Sequence, residues 1–237
     1  MAPPAVLGLD LGTSRLKALL CAADGTVLGR GVAGYQVSVP RVGWAETDPE
    51  QWWQAARTAV RSAVGSAQAQ VSAMAIVGQM HGLVLYSERA EVLRPAIVWL
   101  DRRSSSEVAD YLRLPEHLRA RLGNAPSPGM AGPLLLWLSR HEPEAYRQAR
   151  WMLQPKDWLR LRLTGEAATD PTDASGTLPG RRHLGLGGGR GVRPAYRPAA
   201  ADPPIAPPGT LVRTVQMGAK LMIMETGGRV VRNDAGL

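Results

Sequence analysis

Phenylalanine is missing from these 237 residues and tyrosine occurs only five times. The bulk of any apolar core must therefore come from leucine and from seven tryptophans. Cysteine occurs once, as Cys21, which excludes an intramolecular disulfide and suits a reducing compartment. No apolar run approaches the ~20 residues of a membrane span. The opening stretch, MAPPAVLGLD, has no basic segment followed by an apolar one, so the expectation is a soluble, cytoplasmic protein with no membrane partner. The length leaves room for one large domain or two small ones.

Acidic residues are in deficit, and the net charge is +8. The excess is not spread evenly. Residues 1–180 hold 19 Lys/Arg against 17 Asp/Glu, whereas residues 181–237 hold 9 against 3. Glycine and proline also concentrate after residue 180, and all seven tryptophans lie before it. The basicity thus belongs to a tail whose composition cannot bury a core. It does not imply a nucleic-acid partner, because an Arg-Gly binding tail needs repeats with interleaved aromatics and Arg190-Gly191 is the single unit. Nor does GLGGGRG (185–191) fit a dinucleotide or P-loop pattern. The division expected is an ordered domain over 1–179 and an irregular basic tail over 180–237.

Within the ordered part, AVLGLDLGTSRLKALLCAADGTVLGRGVAGYQV (5–37) reads as three strands. Val6-Leu7-Gly8-Leu9 suits a strand buried on both faces, Leu16, Ala18 and Leu20 follow a tight turn, and Asp24-Gly25 marks a hairpin. The turn itself, Asp10-Leu11-Gly12-Thr13-Ser14, ends a buried strand with an acid and then offers a glycine, two hydroxyls and free N–H groups. That chemistry can cradle a phosphate while the carboxylate faces Mg²⁺; a plain hairpin with a polar tip is the competing reading. Asp48-Pro49 opens an amphipathic helix, with Gln51 placed to complete a capping box and Trp52, Ala56, Val60 and Ala63/Val64 forming its apolar stripe. Ala73 to Val77 reads as a second buried strand, delivering Gly78-Gln79-Met80-His81-Gly82 at its end, where open α/β sheets bind ligands. His81 there suits a sugar hydroxyl and Met80 an apolar wall, against a mere histidine in a glycine-rich turn.

GLDLGTSRLK resembles the first phosphate motif of the sugar kinase, actin and heat-shock chaperone superfamily. GWAETDPEQWW (43–53), GQMHG (78–82), RPAIVWLDRR (94–103) and QPKDWLRLRLTGEAATDPTDASGT (154–177) follow in an order and spacing similar to the FGGY carbohydrate kinases, and among them the xylulokinases. The likeness runs over residues 5–178. It implies an α/β, ribonuclease H-like fold of the actin/hexokinase ATPase type, with a mixed sheet flanked by helices. It further implies ATP and Mg²⁺, a ketose substrate phosphorylated at its 5-hydroxyl, and a homodimer for full-length members. By the same resemblance Asp10 is required for activity near the metal, and Gly12, Thr13 and Ser14 face the phosphates. Met80, His81, Trp99 and Asp101 lie against the sugar. Trp99 as core, and Asp101-Arg102-Arg103 as a helix start with solvated charges, are the competing readings. Lys156-Asp157 and Thr169-Asp170 resemble positions that frame the domain, and Leu134–Leu138 and Trp158–Leu161 helices that cover the sheet.

The resemblance also implies a general-base aspartate in a Gly-Gly-Asp-type motif and a second, adenosine-binding domain. No Gly-Gly-Asp occurs in this sequence. The expectation is that the chain as written does not turn over, leaving a non-catalytic sugar-binding remnant, or another FGGY specificity (ribulose, gluconate, glycerol), as alternatives. The abrupt change after DASGT (173–177) reads as a frame slip near codons 178 to 182.

Overall fold

Alternation of buried and open side chains marks the first two strands of a meander over residues 4–34. In a computed structural model, the structure describes residues 4–65, 67, 69–120, 124–170, 173 and 229–230. Strands β1 (Pro4–Leu11), β2 (Arg15–Ala22) and β3 (Val27–Gly34) pair antiparallel, with Leu11 opposite Leu16 and Asp10 opposite Lys17. After the short strand β4 (Glu46–Thr47), helix α1 (Pro49–Val64) crosses over to β5 (Gln70–Gly78), which lies parallel to β1. A two-stranded ladder of β6 (Val84–Ser87) and a later β8 (Ala149–Leu153) stands apart, as does the pair of β4 with β7 (Ala96–Ile97). Helices α2 (Ser105–Leu112), α3 (Glu116–Arg119), α4 (Ala131–His141), α5 (Pro143–Gln148) and α6 (Pro155–Thr164) complete the domain. A two-residue strand, β9 (Arg229–Val230), runs parallel to β5 at Gln70 and Val71, which makes the sheet order β3-β2-β1-β5-β9. This mixed sheet with helices against it is the ribonuclease H-like arrangement of actin- and hexokinase-type ATPases. The tail expected over 180–237 lies outside the described residues apart from β9.

Two cores hold these layers together. Leu7, Leu9 and Leu11 of β1 and Leu16, Ala18 and Leu20 of β2 pack against Trp52, Ala56 and Val60 of α1 and Trp158 and Leu159 of α6. The rings of Trp52 and Trp158 meet edge to face with centroids 6.0 Å apart, so tryptophan fills the volume that phenylalanine would otherwise take. Helix α1 lies so close on β3 that a Cβ at Gly29 or Gly31 would fall on the carbonyl oxygen of Ala63 or Ala59. The second core joins Leu83, Leu85 and Ile97 to Leu134, Trp137 and Leu138 of α4. Helix α4 therefore covers the β6–β8 ladder and not the main sheet, while α6 does cover the main one.

Three local expectations are corrected. β1 is not buried on both faces: Val6 is 42 % exposed while Leu7 and Leu9 are buried, because α1 covers one side of the sheet only. β5 is not a buried strand either. Val77 is 61 % exposed, and beyond Val71 no strand among the described residues pairs with its outer edge. The capping box does not close: Asp48 accepts from the Glu50 N–H, but the Gln51 side chain accepts from the Gln36 N–H instead of returning to the cap. A neighbouring strand exit won over the local motif. No helix among the described residues is long and apolar enough to cross a membrane.

Candidate functional site

Parallel pairing of β1 with β5 sets Leu11 beside Gly78, so the two strand ends deliver their loops to one place. Gln79 joins them: its N–H donates to the Leu11 carbonyl at 2.7 Å, and its Nε2 to the Gly12 carbonyl at 3.3 Å. The Tyr35 hydroxyl donates to that same Gly12 oxygen. The Tyr35 N–H takes the Ser14 carbonyl at 3.0 Å, and the Gly12 N–H takes the Arg15 carbonyl at 3.1 Å. The carbonyls of Gly12 and Ser14 and the Gly12 N–H are thus tied back into the protein, which fixes the shape of a turn whose Ser14 is exposed, as an anion site requires. Burial, together with the charge of Asp10, pushes the Tyr35 phenol well above its ordinary value, so it stays a donor at neutral pH.

Asp10 stands at the end of β1 with its carboxylate 3.1 Å from Lys17 Nζ, its cross-strand neighbour. Among the described residues no group of three or more His, Cys, Asp or Glu could hold a metal. A single half-open carboxylate fits a Mg²⁺ that arrives on a nucleotide's phosphates and does not make a protein cage.

The GQMHG loop has strained geometry. His81 sits at φ +57° and Gly82 at φ +79°, two successive left-handed residues that turn the chain sharply away from the strand. A non-glycine residue held there costs of order 1–3 kcal/mol. Met80 is 62 % exposed beside it. Trp99 is 44 % exposed, which sets aside its reading as core, and its Nε1 donates to Thr13 Oγ1 at 2.9 Å. One hydrogen bond therefore links the candidate sugar side to the candidate phosphate loop.

Asp101 is the one candidate that the structure buries. It is 1 % exposed, and its oxygens accept from the Ala45 N–H at 2.6 Å, the Arg103 N–H at 2.8 Å, Arg103 Nε at 2.9 Å and Arg103 Nη2 at 2.8 Å. Arg103 also reaches Glu46 at 2.6 Å, and its guanidinium lies 3.7 Å over the Trp44 ring and 5.1 Å from that of Trp137. Arg94 joins Glu46 to Glu142 on the same network. The reading of 101–103 as solvated charges before a helix therefore fails at Asp101 and Arg103. Helix α2 does begin nearby, at Ser105. The lysine of QPKD frames the domain in the literal sense. Lys156 Nζ bridges Asp157 at 2.8 Å, Asp170 at 2.7 Å and Asp173 at 2.9 Å. Burial works against its charge, but the aspartates outweigh that and hold its pKa above the ordinary lysine value.

Four contributors escaped the sequence reading. Lys17 was legible, since the hairpin register puts it on Asp10's face. Gln79 lay inside a recognised motif without a role. Tyr35 carried no local signal, because its partner comes from a distant segment, and for Arg103 the Asp101 partner is local but Glu46, 57 residues away, is not.

The family model for the FGGY family of carbohydrate kinases, N-terminal domain, matches residues 5–179. The xylulose kinase of Escherichia coli (strain K12) is 45 % identical over 174 residues, 73 % of this chain and 36 % of that protein. The crystal structure of a xyloylose kinase from Brucella ovis superposes with a TM-score of 0.69 at 42 % identity, covering 73 % of this chain and 37 % of the other. That of a xylulose kinase from Rhodospirillum rubrum gives 0.84 at 27 % identity, covering 96 % and 47 %. The chain thus spans little more than a third of the length of the curated relatives it matches. With the family model matched over residues 5–179 and a relative 45 % identical over 174 of them, the chain belongs to the FGGY family of carbohydrate kinases.

Proposed function

We propose that this chain carries the sugar-binding and first phosphate-binding half of an ATP-dependent xylulokinase, which transfers the γ-phosphoryl group of ATP to the 5-hydroxyl of D-xylulose. The observation that supports this most is the 2.7 Å bond from the Gln79 N–H to the Leu11 carbonyl, which sets Met80-His81 beside Gly12-Thr13-Ser14. In this reading Met80 walls the ketose, His81 hydrogen-bonds a hydroxyl and the Trp99 ring stacks on the sugar's C–H face. Thr13 and Ser14 hold phosphate oxygens. Asp10 stands nearest the Mg²⁺, whose contribution when bound is to neutralise charge on the phosphates. Asp101 acts from below, fixing the turn that carries Trp99. A single cysteine supports a reducing, cytoplasmic setting.

Phosphoryl transfer is mostly positioning and charge stabilisation, but the attacking hydroxyl must still lose its proton. The 237 residues contain no Gly-Gly-Asp run. We infer that the proton acceptor lies outside them, so that these residues alone bind sugar without turning over.

Titration calorimetry of the chain against D-xylulose, D-ribulose, gluconate and glycerol tests the reading, run beside a coupled ADP-release assay. D-xylulose is expected to bind tightest with no ADP released above background. Preferred binding of another polyol moves the specificity, and no binding of D-xylulose overturns the reading. Turnover comparable to a full-length kinase overturns the inference about the proton acceptor.

A further inference from the structure

We propose that Trp99 is a positioning residue that acts through Thr13, so that the sugar side and the phosphate loop fill cooperatively. The proposal rests on the reading just given of which ligand sits on each side.

The Trp99 turn is fixed everywhere except at its ring. Below it, the Asp101 N–H donates to the Val98 carbonyl at 2.9 Å, and the Val98 N–H to the Ala45 carbonyl at 3.1 Å. The buried Asp101–Arg103 pair clamps the next residues. Behind it, Gly129 lies flush on the Trp99 backbone, where a Cβ would collide with the Trp99 carbonyl. The ring itself projects half-exposed, and its single side-chain hydrogen bond is the one from Nε1 to Thr13 Oγ1 at 2.9 Å.

That bond has a direction. An indole N–H donates only, so it occupies an acceptor position on the Thr13 hydroxyl and turns that hydroxyl's own proton away from Trp99. Thr13 belongs to a turn whose carbonyls at Leu11, Gly12 and Ser14 are already satisfied, so the freed O–H can point outward. A polyol stacked on the ring holds the indole at the angle that orients Thr13 for an anion. An anion held by Thr13 in turn fixes the ring for the polyol. The linkage is reciprocal by thermodynamic necessity. A net neutral hydrogen bond is worth about 0.5–1.5 kcal/mol, so the coupling should be about 2- to 10-fold in affinity.

The test is calorimetry on the 237-residue chain with two probes, D-xylulose and magnesium tripolyphosphate, each titrated alone and in the presence of the other. The readout is the ratio of D-xylulose affinities with and without tripolyphosphate. Wild type should show the sugar binding about 2- to 10-fold tighter in its presence. Trp99→Phe, which keeps a ring but loses the donor, should bring the ratio to one. Thr13→Val should do the same, Thr13→Ser should restore it, and the Trp99→Phe/Thr13→Val double variant should lose no more than either single. A residue that only stabilised the fold would shift both affinities and leave the ratio alone. Wild-type sugar binding with a ratio of one, or a ratio kept in Trp99→Phe, overturns the proposal while sparing the function reading. Absence of D-xylulose binding overturns both.

Discussion

Replacing Arg103 with methionine should be strongly destabilising, and the structure says why. The guanidinium is fully enclosed and makes charge-assisted bonds to Asp101 and Glu46 while lying over the Trp44 and Trp137 rings. Methionine fills much of the volume but leaves two buried carboxylates without the cation they share. Glu46 keeps Arg94, and Asp101 keeps only the Ala45 and Arg103 backbone N–H groups. Breaking a buried ion pair from one side costs about 3–5 kcal/mol. For a domain of this size each kcal/mol moves the melting temperature by roughly 2–4 °C, so the expected drop is about 6–20 °C in a circular-dichroism melt. The cost is one of unpaired charge, which yields a further signature. Adding Asp101→Asn to Arg103→Met should recover ~1–3 kcal/mol, because the orphaned charge is gone. A melt within about 2 °C of wild type, or a double variant that loses the full cost of both changes, would refute the assignment of the network as the anchor of the Trp99 turn.

Gly31→Ala should destabilise by about 1–3 kcal/mol or more in urea denaturation, since its Cβ would land on the Ala59 carbonyl of α1 and neither backbone can yield alone. At position 81, Gly should be more stable than Ala by about 1–2 kcal/mol because the backbone is left-handed there, while both variants should lose D-xylulose binding. Equal stability of the two would contradict the strain. Alkaline pH should weaken the fold through its buried phenols. Burial pushes Tyr146 up to about 12, so the folded state keeps a proton that the unfolded chain releases above pH 10. Stability is therefore full below pH 10 and declines as the pH rises toward 12, and Tyr146→Phe should soften that decline in melts taken between those values.

How much of this was legible depended on how locally each feature is encoded. The β1–β2–β3 meander follows from apolar runs, the Leu16, Ala18, Leu20 alternation and the turn residues between them, and α1 from a period-3.6 stripe, none of which needs anything beyond its own residues. Burial was harder. An apolar run such as Val6 to Leu9, or Ala73 to Val77, says that a strand can be buried on two faces, but not whether something covers the second face. The side chains of the site divide in the same way. Met80, His81 and Thr13 sit in loops whose glycines advertise them. The donors that shape the loop, Tyr35 and Gln79, act across long sequence separations and leave no periodic trace, and the same holds for the bond from Arg103 to Glu46.

Asp101 shows why a motif match and a contact are different claims. An aspartate at the end of VWLD, next to a tryptophan and two arginines, has the chemistry to bind a polyol. Yet one of those arginines is folded back upon it over the Trp44 ring, and a carboxylate so committed has little left to offer a ligand. What the pair does instead is mechanical. It welds the turn after β7 to the Ala45 backbone before β4, leaving the Trp99 ring as the free end of an otherwise immobile turn. A site that must stack a flexible sugar within reach of a phosphate benefits from such a rigid base, because ordering the turn at the moment of binding would subtract from affinity. Charge buried at a distance from the ligand, rather than charge in contact with it, is how this chain holds its tryptophan in place.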